Sequence, residues 1–473
     1  MRFTTQLMPH QAAAFEKLRH VKVGALYMEQ GTGQTRTTLE LANLRIQAGK
    51  IDCILWLCPC SVKRSLQEDI MYHCGAFPDN IIIRGIESLS SSDRLYLMLC
   101  ELVQKHRAFL VVDESNLVKN HKAIRTGRII QLSQACQYKM ILNGTPVSKN
   151  EADMFAQWYV LDWRILGYRS FFSFERNHIE YWKIHLPSGR DIEDRTRIRN
   201  ILNIDYLTEK IAPYTYQVKK SECLPLPPKH YKRELVKFTE KQAVLYEKTK
   251  DEFLLNVDEM QPSTIYKLFT ALQHVVSGRK ILSKANERMK TEPIFTWGNN
   301  PRITALCAIV KNLQGKCIIF AKYQTELDDI AKMLDHIGKR WVMYTGKVEQ
   351  KQRQENRAAF RDEVQFMLAN KACGAYGLNL QFCNNIIYYS NDFDLATRMQ
   401  SEDRVYRIGQ TKEVYIMDLY TPDTIDGVII NCLIKKENMV EAFKREINRW
   451  KGEKEPWTIN LSETKQNKSA VNL

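Results

Sequence analysis

The sequence has no apolar run that could cross a bilayer. Its longest, such as Cys53 to Cys60, fall far short of the roughly 20 residues a spanning helix needs. Nor does its start, MRFTTQLMPHQ, hold the apolar centre of a secretory signal. These absences lead us to expect a cytoplasmic or nuclear protein that is neither secreted nor bound in a membrane. Zinc-ligand spacing is missing too. Cys58-Pro-Cys60 is the one close cysteine pair, with no second pair or histidines beside it, so the 12 cysteines read as reduced core thiols. Acidic residues run short: 54 Asp and Glu face 69 Lys and Arg, leaving a formal charge of +15. An excess of that sign points to a polyanionic partner, whose phosphates a basic surface attracts and neutralises.

What is present is a long, ordinary globular chain. Its 473 residues, 44% of them apolar, suffice for two or three domains with cores of their own. Apolar runs at Gly24–Met28, Cys53–Cys58, Ile81–Ile83, Phe109–Val112 and Lys139–Leu142 alternate with helix-like stretches at Pro9–Leu18, Thr35–Ala48, Val62–Met71 and Ser91–Gln104. That alternation predicts a parallel, doubly wound sheet, its strands buried on both faces. The pattern then breaks. Residues from about 151 to 205 mix aromatic and charged side chains and read as a helical insertion, and 236–290 are helix-like as well. A second α/β series follows at Cys317–Phe320, Trp341–Tyr344, Phe366–Ala369, Ile386–Tyr389 and Val414–Leu419. We therefore expect an α/β protein of two similar lobes, 1–222 and 223–450, each with a parallel sheet and helical insertions. Residues 451–473 form a polar tail.

Three places carry chemistry. The first is ALYMEQGTGQTRTTLE, residues 25–40, a Gly-rich turn between a strand and a helix. Its glycines admit positive φ, and its amides and the helix start behind them suit a phosphate. An ordinary strand-to-helix turn would explain it equally well, because Met28 and Gln34 stand where the strict phosphate-loop pattern wants glycine and lysine. The second is Asp113-Glu114 after the strand FLVV, two carboxylates at the edge where a doubly wound sheet places its ligand chemistry. The third is RMQSEDRVYRIGQTKEV, residues 398–414. Gln400, Arg404 and Arg407 fall at helical spacing, with Ile408-Gly409-Gln410 stopping the helix and fixing two guanidinium groups at its end.

Taken in order, these residues resemble the Swi/Snf-type ATPases, the DNA-translocating family within helicase superfamily two. The resemblance runs colinearly from Leu7 to about Met439. Leu7-Met8-Pro9-His10-Gln11 resembles the adenine-reading element, residues 29–35 motif I, and Leu57–Val62 motif Ia. Asp113-Glu114-Ser115-Asn116 resembles motif II, Asn143-Gly144-Thr145-Pro146 motif III, and Cys317–Phe320 motif IV. Gly374–Leu380 resembles motif V, and Gln400 through Gln410 motif VI.

The resemblance implies two RecA-like lobes, ATP and magnesium as cofactors, and double-stranded DNA as partner. It implies that Gln11 reads adenine and that Glu29, Gly31, Thr32, Gly33, Gln34, Thr35 and Arg36 form the phosphate loop, with Gly377 contributing from motif V. Thr35 and Asp113 would hold magnesium, Glu114 would be the catalytic base, and Arg404 and Arg407 arginine fingers. Lys63, Lys119, Lys322 and Lys371, in or beside the motifs, would touch the DNA backbone.

Departures qualify this. Asn116 replaces the usual histidine of motif II and Asn143 the usual threonine of motif III. Gln34 replaces the motif I lysine and with it the positive charge that stabilises the transferring phosphate. Retention of every other catalytic residue suggests an engineered, hydrolysis-deficient form of an active ATPase rather than a naturally decayed one. The rival readings are a nucleotide-gated DNA clamp without turnover and a DEAH-type helicase, the latter disfavoured by the ending RIGQ.

Overall fold

A computed structural model describes residues 1–144, 151–185, 191–254, 262–282, 290–296, 298–370, 379–435 and 439–450. The chain divides into two units, Met1–Pro225 and Leu226–Leu473.

Unit one begins α1 (Pro9–Leu18), β1 (Val23–Met28), α2 (Gln34–Gln47), β2 (Cys53–Cys58), α3 (Lys63–Cys74) and β3 (Ile81–Gly85). It continues through α4 (Ser88–Ser91), α5 (Asp93–Lys105), β4 (Ala108–Val112), α6 (Ile124–Ala135) and β5 (Tyr138–Asn143). Then come α7 (Met154–Leu166), α8 (Phe171–His178), β6 (Ile179–His185), β7 (Asp191–Ile201), α9 (Ile204–Ile211), β8 (Thr215–Val218) and α10 (Lys220–Cys223). Six of its strands form a parallel sheet in the order β3-β2-β4-β5-β1-β8. Strand periodicity puts Tyr27, Leu57, Val112 and Ile141 into one core and Leu26, Trp56, Val111 and Leu142 into another, one on each face.

The sequence expectation of a purely helical insertion fails between Ile179 and Ile201. There β6 and β7 pair antiparallel as a separate two-stranded sheet. IEYWKIH and DIEDRTRIRNI hold β-branched and aromatic strand formers interspersed with charges and without regular alternation, which is why they do not read as strands from the sequence.

Unit two starts with β9 (Lys229–Leu235), α11 (Glu240–Leu254), α12 (Pro262–Val276), β10 (Arg279–Ile281) and β11 (Thr291–Pro293). The repeating part is α13 (Pro301–Asn312), β12 (Cys317–Phe320), α14 (Gln324–His336), β13 (Trp341–Tyr344), α15 (Gln350–Asp362), β14 (Phe366–Ala369) and β15 (Asn385–Tyr388). It closes with α16 (Leu395–Asp403), β16 (Val414–Tyr420), α17 (Ile425–Lys435) and α18 (Met439–Trp450). The sheet order is β13-β14-β12-β15-β16-β9, again parallel throughout. A third apolar cluster joins α12 to α17 and α18 through Phe269, Leu272, Ile429 and Phe443. Arg302, 1% exposed, binds α13 to the sheet: it donates to the carbonyls of Tyr389 and Leu419, each at 2.8 Å, and pairs with Asp426 at 2.6 Å. Two parallel sheets flanked by helices are the α/β, RecA-like pair of lobes expected from the sequence.

Candidate nucleotide site

β1 ends at Met28, and the chain turns through Glu29–Gly33 before α2. Gly31 and Gly33 have φ of 84° and 90°, left-handed values that cost an L side chain but not glycine. Gly33 has a second reason to be glycine, since a Cβ there would meet Gln11 Nε2 at 2.0 Å. That amide donates to the Thr32 carbonyl at 3.1 Å, and His10 Nε2 to the same oxygen at 2.7 Å. Gln11 Oε1 accepts the Met8 N–H at 3.0 Å. The predicted adenine reader is therefore packed onto the loop: its Nε2 fastens α1 there, while its Oε1 caps the start of its own helix at Met8. Thr32 is sealed within, its hydroxyl donating to the Glu29 carbonyl at 2.7 Å. Glu29 Oε2 in turn accepts the Lys220 N–H at 2.8 Å. α2 starts without a side-chain cap on its first-turn amides, the arrangement that favours an anion. Thr35, half-buried, is its second residue.

Gln34 points inward. Its Nε2 lies within donating distance of three carbonyls: Met28 at 2.8 Å, Asn143 at 2.9 Å and Leu26 at 3.2 Å. The side chain thus bridges the ends of β1 and β5, and its neutral amide brings no charge to the loop. Arg36 is spent on protein groups as well. It donates to the Thr5 carbonyl at 3.1 Å, pairs with Glu40 at 2.5 Å and stacks on Phe3 at 3.8 Å. At 4% exposure it anchors the N-terminal segment to α2.

The acidic pair follows β4. Asp113 Oδ1 accepts the Glu114 N–H at 2.9 Å. Glu114 takes φ 48° and ψ 56°, a conformation sparsely used by residues other than glycine. Its Oε1 accepts Gln30 Nε2 at 2.5 Å, which joins the carboxylate to the Gly-rich loop. Ser115 Oγ, buried, donates to Gln157 Oε1 at 2.6 Å and so ties the segment to α7. Two polar atoms nearby are buried without a partner among the described residues, Asn116 Oδ1 and Asn143 Nδ2.

The predicted site residues of unit two are distributed differently. The helix expected to carry Gln400, Arg404 and Arg407 together ends at Asp403. Arg404 and Arg407 lie in the turns that follow, so they share no helical face with Gln400. The chain leaves the helix as Leu380 N–H donates to the Arg404 carbonyl at 2.9 Å, and Gln410 Nε2 bonds the Cys383 carbonyl at 2.8 Å and the Val405 carbonyl at 3.2 Å. Arg407 donates to Asn379 Oδ1, linking motif VI to motif V. Gly377 and Lys371 lie outside the described residues, as do Thr145 and Pro146.

Lysines expected on DNA differ in how free their heads are. Lys63, exposed, is the first residue of α3. Lys119 pairs with Asp153 at 3.2 Å. Lys322 is turned inward: its ammonium bonds Gln273 Oε1 at 2.8 Å and lies 3.3 Å from the centre of the Phe393 ring. Burial brings its pKa down to about 8.

Sequence reasoning missed the polar framework beneath these residues. Arg398, 6% exposed, forks onto Asp418 at 2.6 and 2.9 Å, pairs with Glu402 at 2.9 Å and lies 3.6 Å from the Tyr388 ring centre. Its four-residue spacing from Glu402 was the available signal. Gln30 gave none, because its partner is 84 residues away.

Two family models match the chain. A SNF2-related domain covers residues 73–290 and a helicase conserved C-terminal domain residues 301–409. Together they span more than half of the sequence. Among curated proteins, the SWI/SNF-related matrix-associated actin-dependent regulator of chromatin subfamily A-like protein 1 of Drosophila melanogaster is 23% identical over 352 residues, covering 72% of this chain and 42% of that protein. The putative ATP-dependent helicase/translocase YwqA of Bacillus subtilis is 24% identical over 343 residues, covering 70% and 35%. The chain thus spans less than half the length of either. The Sulfolobus solfataricus SWI2/SNF2 ATPase core in complex with dsDNA aligns at a TM-score of 0.41 and 20% identity, over 94% of this chain and 93% of that one. The two parallel-sheet units and the two matched models, in chain order, define a protein of the helicase-like class. The chain belongs to the SNF2-related, Swi/Snf-type family of helicase superfamily two.

Proposed function

We propose that this chain is an ATP-driven motor that moves along double-stranded DNA and remodels DNA or protein–DNA complexes, and that Gln34 leaves it able to bind nucleotide but slow to hydrolyse it. The observation that supports this most is the meeting, within one unit, of the positive-φ loop, the Gln11 amide and the Asp113–Glu114 pair joined to that loop through Gln30. In this reading the loop amides hold the polyphosphate, and Thr35 and Asp113 would hold magnesium, which when bound shields the phosphate charge. Glu114 takes the proton from the attacking water. Arg404 and Arg407 contribute positive charge to the transition state, worth on the order of 10³–10⁵ in rate in related phosphoryl transfers. The charge of +15 supplies affinity for the DNA backbone with little reading of sequence.

The test is the ATPase rate of the unaltered protein and of Gln34→Lys, each with and without duplex DNA. The reading expects near-silence from the first and duplex-stimulated turnover from the second. Equal rates would remove position 34 from its role. A second reading, a nucleotide-gated DNA clamp, draws on the inward, neutral Gln34 amide. It expects duplex binding that changes with nucleotide, and no turnover even in Gln34→Lys.

A further inference from the structure

Asn143 is 5% exposed, yet its Nδ2 has no hydrogen-bond partner among the described residues. The remaining polar atoms of its acceptor side are committed. Oδ1 accepts the Gly144 N–H at 2.9 Å, and the backbone carbonyl accepts Gln34 Nε2 at 2.9 Å. Folded proteins rarely bury a donor without giving it an acceptor. One left over at a sheet edge that carries ligand chemistry invites an acceptor from outside the chain.

The surroundings say which. β5, which ends in Asn143, lies between β4, which presents Asp113 and Glu114, and β1, which feeds the Gly-rich loop. Tyr27 of β1 is its register partner. Gly144 lies against the loop, since a Cβ on it would come 3.8 Å from the Gln30 amide nitrogen. Gln30 is the residue that holds Glu114. The spare amide therefore lies where loop and carboxylates converge, the place at which a terminal phosphate meets its attacking water.

We propose that Asn143 Nδ2 donates a hydrogen bond to the terminal phosphate of bound ATP, serving as a side-chain donor in a loop that has no lysine. Gln34 cannot easily serve, because its amide is shared among three carbonyls. The proposal rests on the nucleotide-site reading above and adds to it a residue that distinguishes triphosphate from diphosphate. It also gives a physical role to an asparagine where related motifs carry threonine.

Binding of a non-hydrolysable ATP analogue (adenylyl imidodiphosphate) and of ADP, each with magnesium, is measured by calorimetry on the unaltered full chain and two variants. Asn143→Asp keeps the acceptor for Gly144 and loses the donor. Asn143→Ala loses the whole group without adding charge. Both are expected to weaken the triphosphate analogue roughly ten-fold or more, as for a lost bond to a charged acceptor, while ADP stays within about two-fold. If either variant unfolds, the other carries the comparison, and their melting temperatures show which. Equal losses for both nucleotides mean a structural role and overturn the proposal, as does unchanged binding of both. If the unaltered chain binds neither nucleotide, the nucleotide-site reading falls with it, an outcome distinct from the other two.

Discussion

Gln30 and Glu114 meet across the site of unit one: the amide of a loop residue donates to the carboxylate of the proposed base at 2.5 Å. Glu114 sits in the left-handed region at φ 48°, where a non-glycine residue persists only if its surroundings hold it. The bond to Gln30 is one such hold, and it makes the loop and the acidic pair a single mechanical piece.

In the Gln34→Lys background, Gln30→Leu should therefore lower turnover by roughly ten-fold or more, the equivalent of one hydrogen bond to a charged group. The KM for ATP should change little, since the loop amides remain. A rise in KM at constant turnover would assign Gln30 to binding instead.

The Arg398 cluster predicts a stability effect in unit two. Its guanidinium neutralises Asp418 and Glu402 in a buried setting. Arg398→Met takes the guanidinium from both carboxylates, leaving Glu402 with Lys229 and Tyr231 and Asp418 with Asn391, and should cost about 3–5 kcal/mol, read as a shift in the urea midpoint. Arg398→Met with Asp418→Asn and Glu402→Gln should recover much of the loss. Failure of that triple substitution to recover would mean that packing against Tyr388, rather than charge, dominates.

His274 gives unit two a defined acid sensitivity. It is 6% exposed, stacks near Tyr323 with centroids 4.0 Å apart, and burial, aided by Lys322 and Arg279, lowers its pKa to about 4. The unfolded chain takes up this proton near pH 6.5 and the folded one only near 4, so between those values the unfolded state binds more protons. Stability is then fully present above about pH 6.5 and falls as the pH drops toward 4. His274→Leu should flatten that part of the profile, measured as denaturation midpoints at pH 7 and 4.5. A parallel profile in the variant would place the acid response elsewhere.

Duplex binding should fall steeply with salt, because displaced counterions dominate the free energy. The lysines should not contribute equally. Lys63→Ala, with an exposed head, should weaken binding to every sequence and reduce the salt slope by about one. Lys322→Ala, whose ammonium bonds Gln273, should act on unit stability more than on the slope. Equal slopes for the two variants would refute that division.

Much of the fold was legible because buried parallel strands advertise themselves as apolar runs. Cys53–Cys58, Cys317–Phe320, Trp341–Tyr344 and Phe366–Ala369 lie where the sequence placed them. Two of the strands it did not reveal lie at the edges of the six-stranded sheets. Lys229–Leu235, KHYKREL, is largely exposed and polar, and becomes a strand through seven register pairs with β16. Thr215–Val218 similarly depends on β1. At the candidate site the motifs could be read in order, but not the commitments of their side chains. Nothing local says that Arg36 serves Thr5, that Lys322 faces a ring, or that the motif VI helix stops at Asp403.

The distance in sequence between those edge strands and their partners has a consequence for synthesis. β1 acquires its outer neighbour only when Thr215–Val218 exists, with Ala25 paired to Thr215 across nearly the whole of unit one. Until the ribosome has released that segment, β1 presents an unsatisfied, apolar strand edge of the kind that recruits other chains. β9 must wait likewise for Val414–Tyr420. Pairings this remote in sequence slow folding, so each unit leaves the ribosome with its sheet open for as long as its closing strand is untranslated. During that interval the open strand edge is exposed to aggregation, the hazard that chaperones limit.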